Sequence, residues 1–232
     1  MRFLCLHGMG SNSQVFESQI SAIRYELGNR HTYEFVEGCV PTGIAPNLDG
    51  VASPEKEYFA YSDPTVPASM SKAVANLDAY VDAQGPFDGV LAFSEGAGLT
   101  ASYIAWKFRQ DPARQKVSPM FKFAVFFSSL DTFDPEQIGK GSNSRPLLAQ
   151  DNGEIIHIPT VHIWGRNDRL TGAPRVRGIC ASQAREEYIH DGGHEVPGAR
   201  MADAVKTTAR LMRRAMFLAN KKNEPTNGSS NH

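Results

Sequence analysis

Ten residues, Gly89-Val90-Leu91-Ala92-Phe93-Ser94-Glu95-Gly96-Ala97-Gly98, carry the densest chemical signal in the chain. An apolar strand pattern runs into a serine flanked by small residues at 92, 96 and 98, and a helical pattern follows at once. A serine at the apex of so sharp a turn needs small neighbours, because strand and helix backbones approach closely there. The amide after the serine then opens a helix, where it can donate to a developing oxyanion. Ala-x-Ser-x-Gly is a weak pattern alone and gains weight from its place between strand and helix. The bland reading is a serine that merely caps the helix.

A serine hydroxyl is a poor nucleophile and needs a histidine base held by a carboxylate. Val161-His162-Ile163-Trp164-Gly165-Arg166-Asn167-Asp168 reads as a strand entering a polar turn that ends in an acid. Tyr188-Ile189-His190-Asp191-Gly192-Gly193-His194 reads as the next strand, entering a Gly-Gly turn that presents a histidine. The order Ser94, Asp168, His194 is that of α/β-hydrolases. Asp131 is a rival acid, since it follows the fourth strand. Asp191 is too near His194 along the chain to orient it. His190 is a rival base, although it falls at a strand end rather than in a loop. His31, His157 and His162 lack a convincing partner and read as structural or solvated.

Acyl transfer also needs oxyanion donors. The loop after the first strand, Leu6-His7-Gly8-Met9-Gly10-Ser11-Asn12, is placed to give one. The Met9 amide is the expected donor there, with the Glu95 amide as its partner, and His7 is expected to orient the loop. A dinucleotide fingerprint at Gly8-x-Gly10 fails because Ser13 occupies the third glycine position.

Positioning these groups takes a sheet. Strand candidates at 2–6, 33–37, 88–93, 123–128, 159–164 and 186–190, several of them apolar almost throughout, alternate with helix-period stretches, which predicts an α/β fold with a mostly parallel sheet of about six strands and helices on both faces. Phe16, Ile20, Ile23 and Leu27 share a helical face, with Ser11-x-x-Gln14 as the capping box and Gly28 as the stop. Val74, Leu77 and Val81 mark a second helix ended by Gly85-Pro86. Glu95 to about Gln110 is a third, and Ala199 to about Ala219 the last, with a basic end that suits the negative pole of a helix. One domain over 1–222 is expected, with a lid-like insert at 40–68 and a disordered tail at 223–232. Tyr58, Phe59 and Tyr61 in that insert are candidate substrate-binding residues, against ordinary loop packing. A second long polar loop spans 131–156.

Composition excludes several classes. At 232 residues the chain can bury a full core without disulfide or metal. A net charge of −1 lacks the basic excess of a nucleic-acid binder. No uncharged apolar run approaches the roughly 20 residues of a membrane span. Three scattered cysteines, Cys5, Cys39 and Cys180, fit neither a disulfide framework nor a metal site, so a reducing, cytoplasmic compartment is expected. No signal peptide is read at the N-terminus, and neither metal nor organic cofactor is implied.

Several stretches together resemble the FSH-type serine hydrolases, an α/β-hydrolase family of fungi and other eukaryotes. They are Leu6-His7-Gly8-x-Gly10-x-Asn12, Gly85-Pro86-Phe87-Asp88-Gly89-Val90, Ser94-x-Gly96-Ala97, Ile158-Pro159-Thr160-Val161-His162 and His190-x-Gly192-Gly193-His194-x-Val196-Pro197. The resemblance covers about residues 1–215 and implies a catalytic Ser94, Asp168 and His194. Ala92 stands for the usual glycine and Glu95 where glutamine is expected, and neither removes a required group. The resemblance also implies an esterase or thioesterase, similar to the fungal enzymes that act in trans on polyketide synthases and release the acyl chain from its carrier domain. A phosphopantetheine arm would call for cations near the mouth, for which Lys56, Lys140, Arg145, Arg166 and Arg169 are candidates. A general carboxylesterase is the runner-up, and a non-catalytic binder of the same fold the different-class alternative.

Overall fold

The computed structural model describes residues 1–48, 55–139, 145–170 and 172–221. Along the chain run β1 (Arg2–Leu6), α1 (Ser13–Gln19), α2 (Ser21–Leu27), β2 (Thr32–Val36), β3 (Val40–Thr42), β4 (Tyr58–Ala60), α3 (Pro67–Gln84), β5 (Gly89–Phe93) and α4 (Glu95–Gln110). Then come α5 (Pro112–Val117), β6 (Phe123–Phe127), α6 (Pro135–Gly139), α7 (Ala149–Asn152), β7 (Thr160–Gly165), α8 (Gly172–Gly178), β8 (Arg185–His190) and α9 (Ala202–Lys221). The six-stranded sheet has the order β2-β1-β5-β6-β7-β8, with every pair parallel. The fold class is the expected α/β-hydrolase one.

Strand alternation sorts the core into two layers. Phe3, Cys5, Leu91, Phe93, Phe123 and Val125 face one side, where they pack with Phe16, Ile20 and Ile23 of the first helical segment and Met212 and Ala215 of α9. Leu4, Leu6, Val90, Ala92, Ala124 and Phe126 face the other, against Val74 and Leu77 of α3 and Leu99 and Tyr103 of α4. The central strands β5 and β6 are buried at every residue, as strands covered on both faces must be.

Some local expectations need correction. The first helix is capped by Asn12, whose Oδ1 accepts from the Val15 amide at 2.9 Å, and not by a Ser11–Gln14 box. Ser11 is instead held by a bridge to Phe59, whose amide donates to its carbonyl at 2.8 Å. The apolar face through Leu27 is carried by two helices that meet at Ile20 (φ −88°, ψ 3°) rather than by one. The described part of the 40–68 insert forms a β3–β4 hairpin-like pair and a 3-10 turn at Pro46–Leu48. The 131–156 stretch carries α6 and α7 rather than loop alone. Of the basic residues on α9, Arg214 pairs with Glu186 of β8 at 2.7 Å and Arg213 donates to the Glu26 carbonyl. Lys140 and the 223–232 tail lie outside the described residues. The three cysteines are free thiols, and no helix among the described residues is long and apolar enough to cross a membrane.

Candidate active site

Ser94 takes φ 53° and ψ −115°, a positive φ that an L-residue adopts only under constraint. The constraint is visible on both sides. Its amide donates to the Phe127 carbonyl at 2.9 Å, and its carbonyl accepts from the Leu130 and Gly98 amides at 3.1 Å each. The helix behind it approaches β1 so closely that a Cβ on Gly96 would lie 2.4 Å from the His7 carbonyl. That carbonyl accepts the Gly96 amide at 3.2 Å. A glycine at 96 is therefore a condition of the turn that presents the serine.

The turns after β7 and β8 are fastened to each other. The Asn167 amide donates to the Gly192 carbonyl at 3.0 Å and its side chain to the Asp191 carbonyl at 2.8 Å. The result is a line of three side chains. His194 Nδ1 lies 2.9 Å from Asp168 Oδ2, and His194 Nε2 lies 2.8 Å from Ser94 Oγ. With a proton on Nδ1, the ring donates to the carboxylate and accepts from the serine hydroxyl. The Asp168 side chain is only 2% exposed, and its other oxygen accepts the Leu170 amide at 2.9 Å. The Phe93 ring packs against the imidazole with centroids 5.1 Å apart.

The rival groups are engaged elsewhere. Asp131 pairs with Arg175 at 2.7 Å, and Asp191 is an exposed partner of Arg166 at 3.3 Å. His190 is buried, and its Nδ1 accepts the Gly192 amide at 3.1 Å. His162 is fully enclosed beside Thr160, and burial pushes its imidazole down to about 3. Lys56 donates to Gln14 at 2.8 Å, while Arg145 and Arg169 are exposed.

The two expected oxyanion amides, Met9 and Glu95, have no acceptor among the described residues. The Met9 loop depends on Gly10, whose φ is +67° and whose added Cβ would meet the Ala45 nitrogen at 2.6 Å. His7 braces the same loop from within. Its Nδ1 lies 2.8 Å from the Gly8 carbonyl, its Nε2 accepts the Gly38 amide at 2.9 Å, and its own amide donates to the Tyr61 hydroxyl at 3.0 Å.

Sequence reasoning singled out Glu95 as a departure from glutamine that bears on pH dependence and anionic substrates, but did not foresee what its side chain holds. It is buried, and its carboxylate accepts the Tyr61 amide at 3.1 Å and the Ser62 amide and hydroxyl at 2.9 Å each. Burial raises its pKa above the ordinary carboxylate value, with the Tyr61 and Ser62 donors opposing. Its departure from glutamine was the available signal. The three aromatic candidates line neither the cavity that opens at Ser94 nor the one beside Glu95. Tyr61 is buried with its hydroxyl donating to the Val36 carbonyl at 2.8 Å, Tyr58 is buried in β4, and Phe59 is half-buried and pairs through its backbone with Gly10 and Ser11. Among the described residues no cluster of His, Cys, Asp and Glu could hold a metal ion.

Comparison with known proteins shows the family and the fold. The serine hydrolase (FSH1) family model matches residues 1–205. Esterase FPY3 of Fusarium mangiferae is 37% identical over 200 residues, covering 85% of this chain and 88% of that protein. Hydrolase phiM of a fungal species (strain ATCC 74256) is 29% identical, covering 84% and 86%. Among solved structures, Arabidopsis thaliana SOBER1 superposes with a TM-score of 0.58 at 16% identity over 93% of this chain and 99% of that one, which shows a shared fold. The thioesterase RedJ of Streptomyces coelicolor superposes at 0.54 and 13% identity, over 90% and 85%. With the family model covering nearly the whole chain and the fold shared with carboxylesterases, the chain belongs to the FSH1 family of serine hydrolases and is an ester-hydrolysing enzyme.

Proposed function

We propose that the protein cleaves acyl esters and thioesters through a Ser94–His194–Asp168 triad. The observation that carries this reading is the unbroken hydrogen-bonded line from Ser94 Oγ through both nitrogens of His194 to a buried Asp168. Ser94 Oγ attacks the carbonyl carbon while His194 Nε2 takes its proton, and Asp168 stabilises the imidazolium and holds its tautomer. The Met9 and Glu95 amides, both without another acceptor among the described residues, receive the oxyanion. Collapse expels the alcohol or thiol with a proton from His194. Water, activated by the same imidazole, then frees the acid from Ser94. Three free thiols fit action in a reducing, cytoplasmic compartment.

Within this chemistry, a second, finer reading assigns the substrate as a polyketide-like acyl chain on the phosphopantetheine arm of an acyl carrier domain. What favours it is Arg169, an exposed cation between Asp168 and the cavity-lining Leu170, where an anionic arm would pass. The test is kcat/KM for an acyl-carrier-bound or N-acetylcysteamine thioester against the matching ethyl ester. A gain with the carrier that Arg169→Ala removes supports the finer reading. A better ester and no gain from the carrier leave a carboxylesterase of small-molecule esters. No turnover of either by wild type would point to the non-catalytic binder.

A further inference from the structure

Two cavities share Met9 and Leu130 in their walls, and one of them opens at Ser94. One, of about 290 Å³, has Ser94 and His194 in its wall together with Ile44, Leu48 and Leu170. The other, of about 230 Å³, is lined by neither catalytic side chain; Val66, Met70, Leu99 and Phe133 form its apolar wall. The direction of proton transfer tells them apart. His194 must hand its proton to the leaving oxygen or sulfur, which has to lie within hydrogen-bond reach of Nε2. The leaving group therefore belongs in the cavity that contains His194. The chain on the other side of the carbonyl carbon points away from the imidazole, past the Met9 and Glu95 amides, and both of those residues line the second cavity.

Charge in the second cavity is one-sided. Asp63, Glu95 and Asp131 line it, and among the described residues no Lys, Arg or His does. Asp131 is balanced by Arg175 at 2.7 Å. Asp63 and Glu95 bond neutral donors, Thr65 for the first and Tyr61 and Ser62 for the second. A carboxylate carried in on the acyl chain would lose water and meet like charge, while Arg175, the cation beside the cavity-lining Asp131, is already paired with it.

Resting on the hydrolase reading above, we infer that the smaller cavity is the acyl subsite and the larger one the leaving-group subsite. We further infer that Asp63 and Glu95 confine the acyl subsite to chains without a terminal carboxylate, so that neutral or amine-tipped acyl groups are the substrate class. Its volume, below the roughly 300–1,000 Å³ of pockets for drug-sized ligands, suits a short or medium chain.

The test uses ethyl hexanoate, monoethyl glutarate and ethyl 6-aminohexanoate, which share an alcohol and differ at the acyl end. The hemi-ester is expected to show kcat/KM at least ~30-fold below hexanoate, with the amine within about 3-fold of it, and Asp63→Asn is expected to narrow the hemi-ester gap. The partition is read by crossing two sets of variants. Met70→Trp, and Val66→Trp at the half-exposed mouth, should lower hexanoate relative to acetate and leave the butyl-to-ethyl preference for the alcohol unchanged. Leu170→Trp should do the reverse. Equal turnover of hemi-ester and hexanoate would overturn the charge selection, and Leu170→Trp altering acyl preference would overturn the partition. Failure of the hydrolase reading looks different: wild type would show no Ser94-dependent turnover of any of these esters.

Discussion

Glu95→Ala strips out the side chain that joins the nucleophile's helix to the Tyr61–Ser62 segment through three hydrogen bonds. Two buried backbone amides, of Tyr61 and Ser62, and the Ser62 hydroxyl lose their acceptor. A buried donor left unmade costs about 1–3 kcal/mol. Water from the adjoining cavity, which Glu95 and Ser62 both line, can reach the gap, so the lower part of that range applies to each amide. The expected loss is about 2–4 kcal/mol. In a domain of this size, that lowers Tm by about 4–16 °C. The pH dependence has a definite sign. Burial raises the folded-state pKa of Glu95, so the native protein binds the more protons across that window. Stability from this group is present at low pH and declines as pH rises from the ordinary carboxylate range through the raised value. The alanine of the variant has no such titration, so the gap between wild type and variant should be larger at pH 5 than at pH 8. Urea unfolding of both proteins at the two pH values measures it. A gap below about 0.5 kcal/mol, or one that widens towards pH 8, would refute the argument that this carboxylate is a buried, hydrogen-bonded clamp.

Three further outcomes are expected. Asp168→Asn should lower kcat by about 10³–10⁴-fold with the fold intact, while Asp131→Asn, whose partner is Arg175, should cost under about 3-fold; steady-state kinetics decide between them. Gly10→Ala forces a Cβ to 2.6 Å from the Ala45 nitrogen at a φ of +67° and should lower kcat about 10-fold or more by displacing the Met9 amide, as measured on a single ester. His162 is held neutral with a pKa of about 3, so wild type loses stability as pH falls from about 6.5 towards that value, because only the unfolded chain takes up the proton. His162→Leu should flatten that acid limb by up to ~1.4 kcal/mol per pH unit, read from urea midpoints between pH 7 and pH 5.

Patterns local in the chain were the legible ones. The central strands β5 and β6 announce themselves because residues such as Phe123–Phe127 are apolar throughout, as a strand covered on both faces should be. Ser94 was legible because its strand, turn and helix are contiguous, and Asp168 and His194 because each ends a strand in a polar turn. Long-range pairing leaves no such trace. An aromatic in an insert reads the same whether it lines a cavity or, like Tyr61, is buried with its hydroxyl between His7 and Val36. Asp131 after the fourth strand looks as able an orienting acid as Asp168 until Arg175 is seen beside it. The choice of Asn12 over Ser11 as cap turns on the backbone bridge from Ser11 to Phe59, a contact formed by a segment far along the chain.

The claim that Ser94 is an activated nucleophile is tested most directly by reaction with a fluorophosphonate, followed by intact mass and peptide mapping. One adduct per chain is expected, on the peptide holding Ser94, with labelling slowed by orders of magnitude in His194→Ala and absent in Ser94→Ala. A folded protein that takes no adduct, or takes it on another residue with Ser94 untouched, would contradict it.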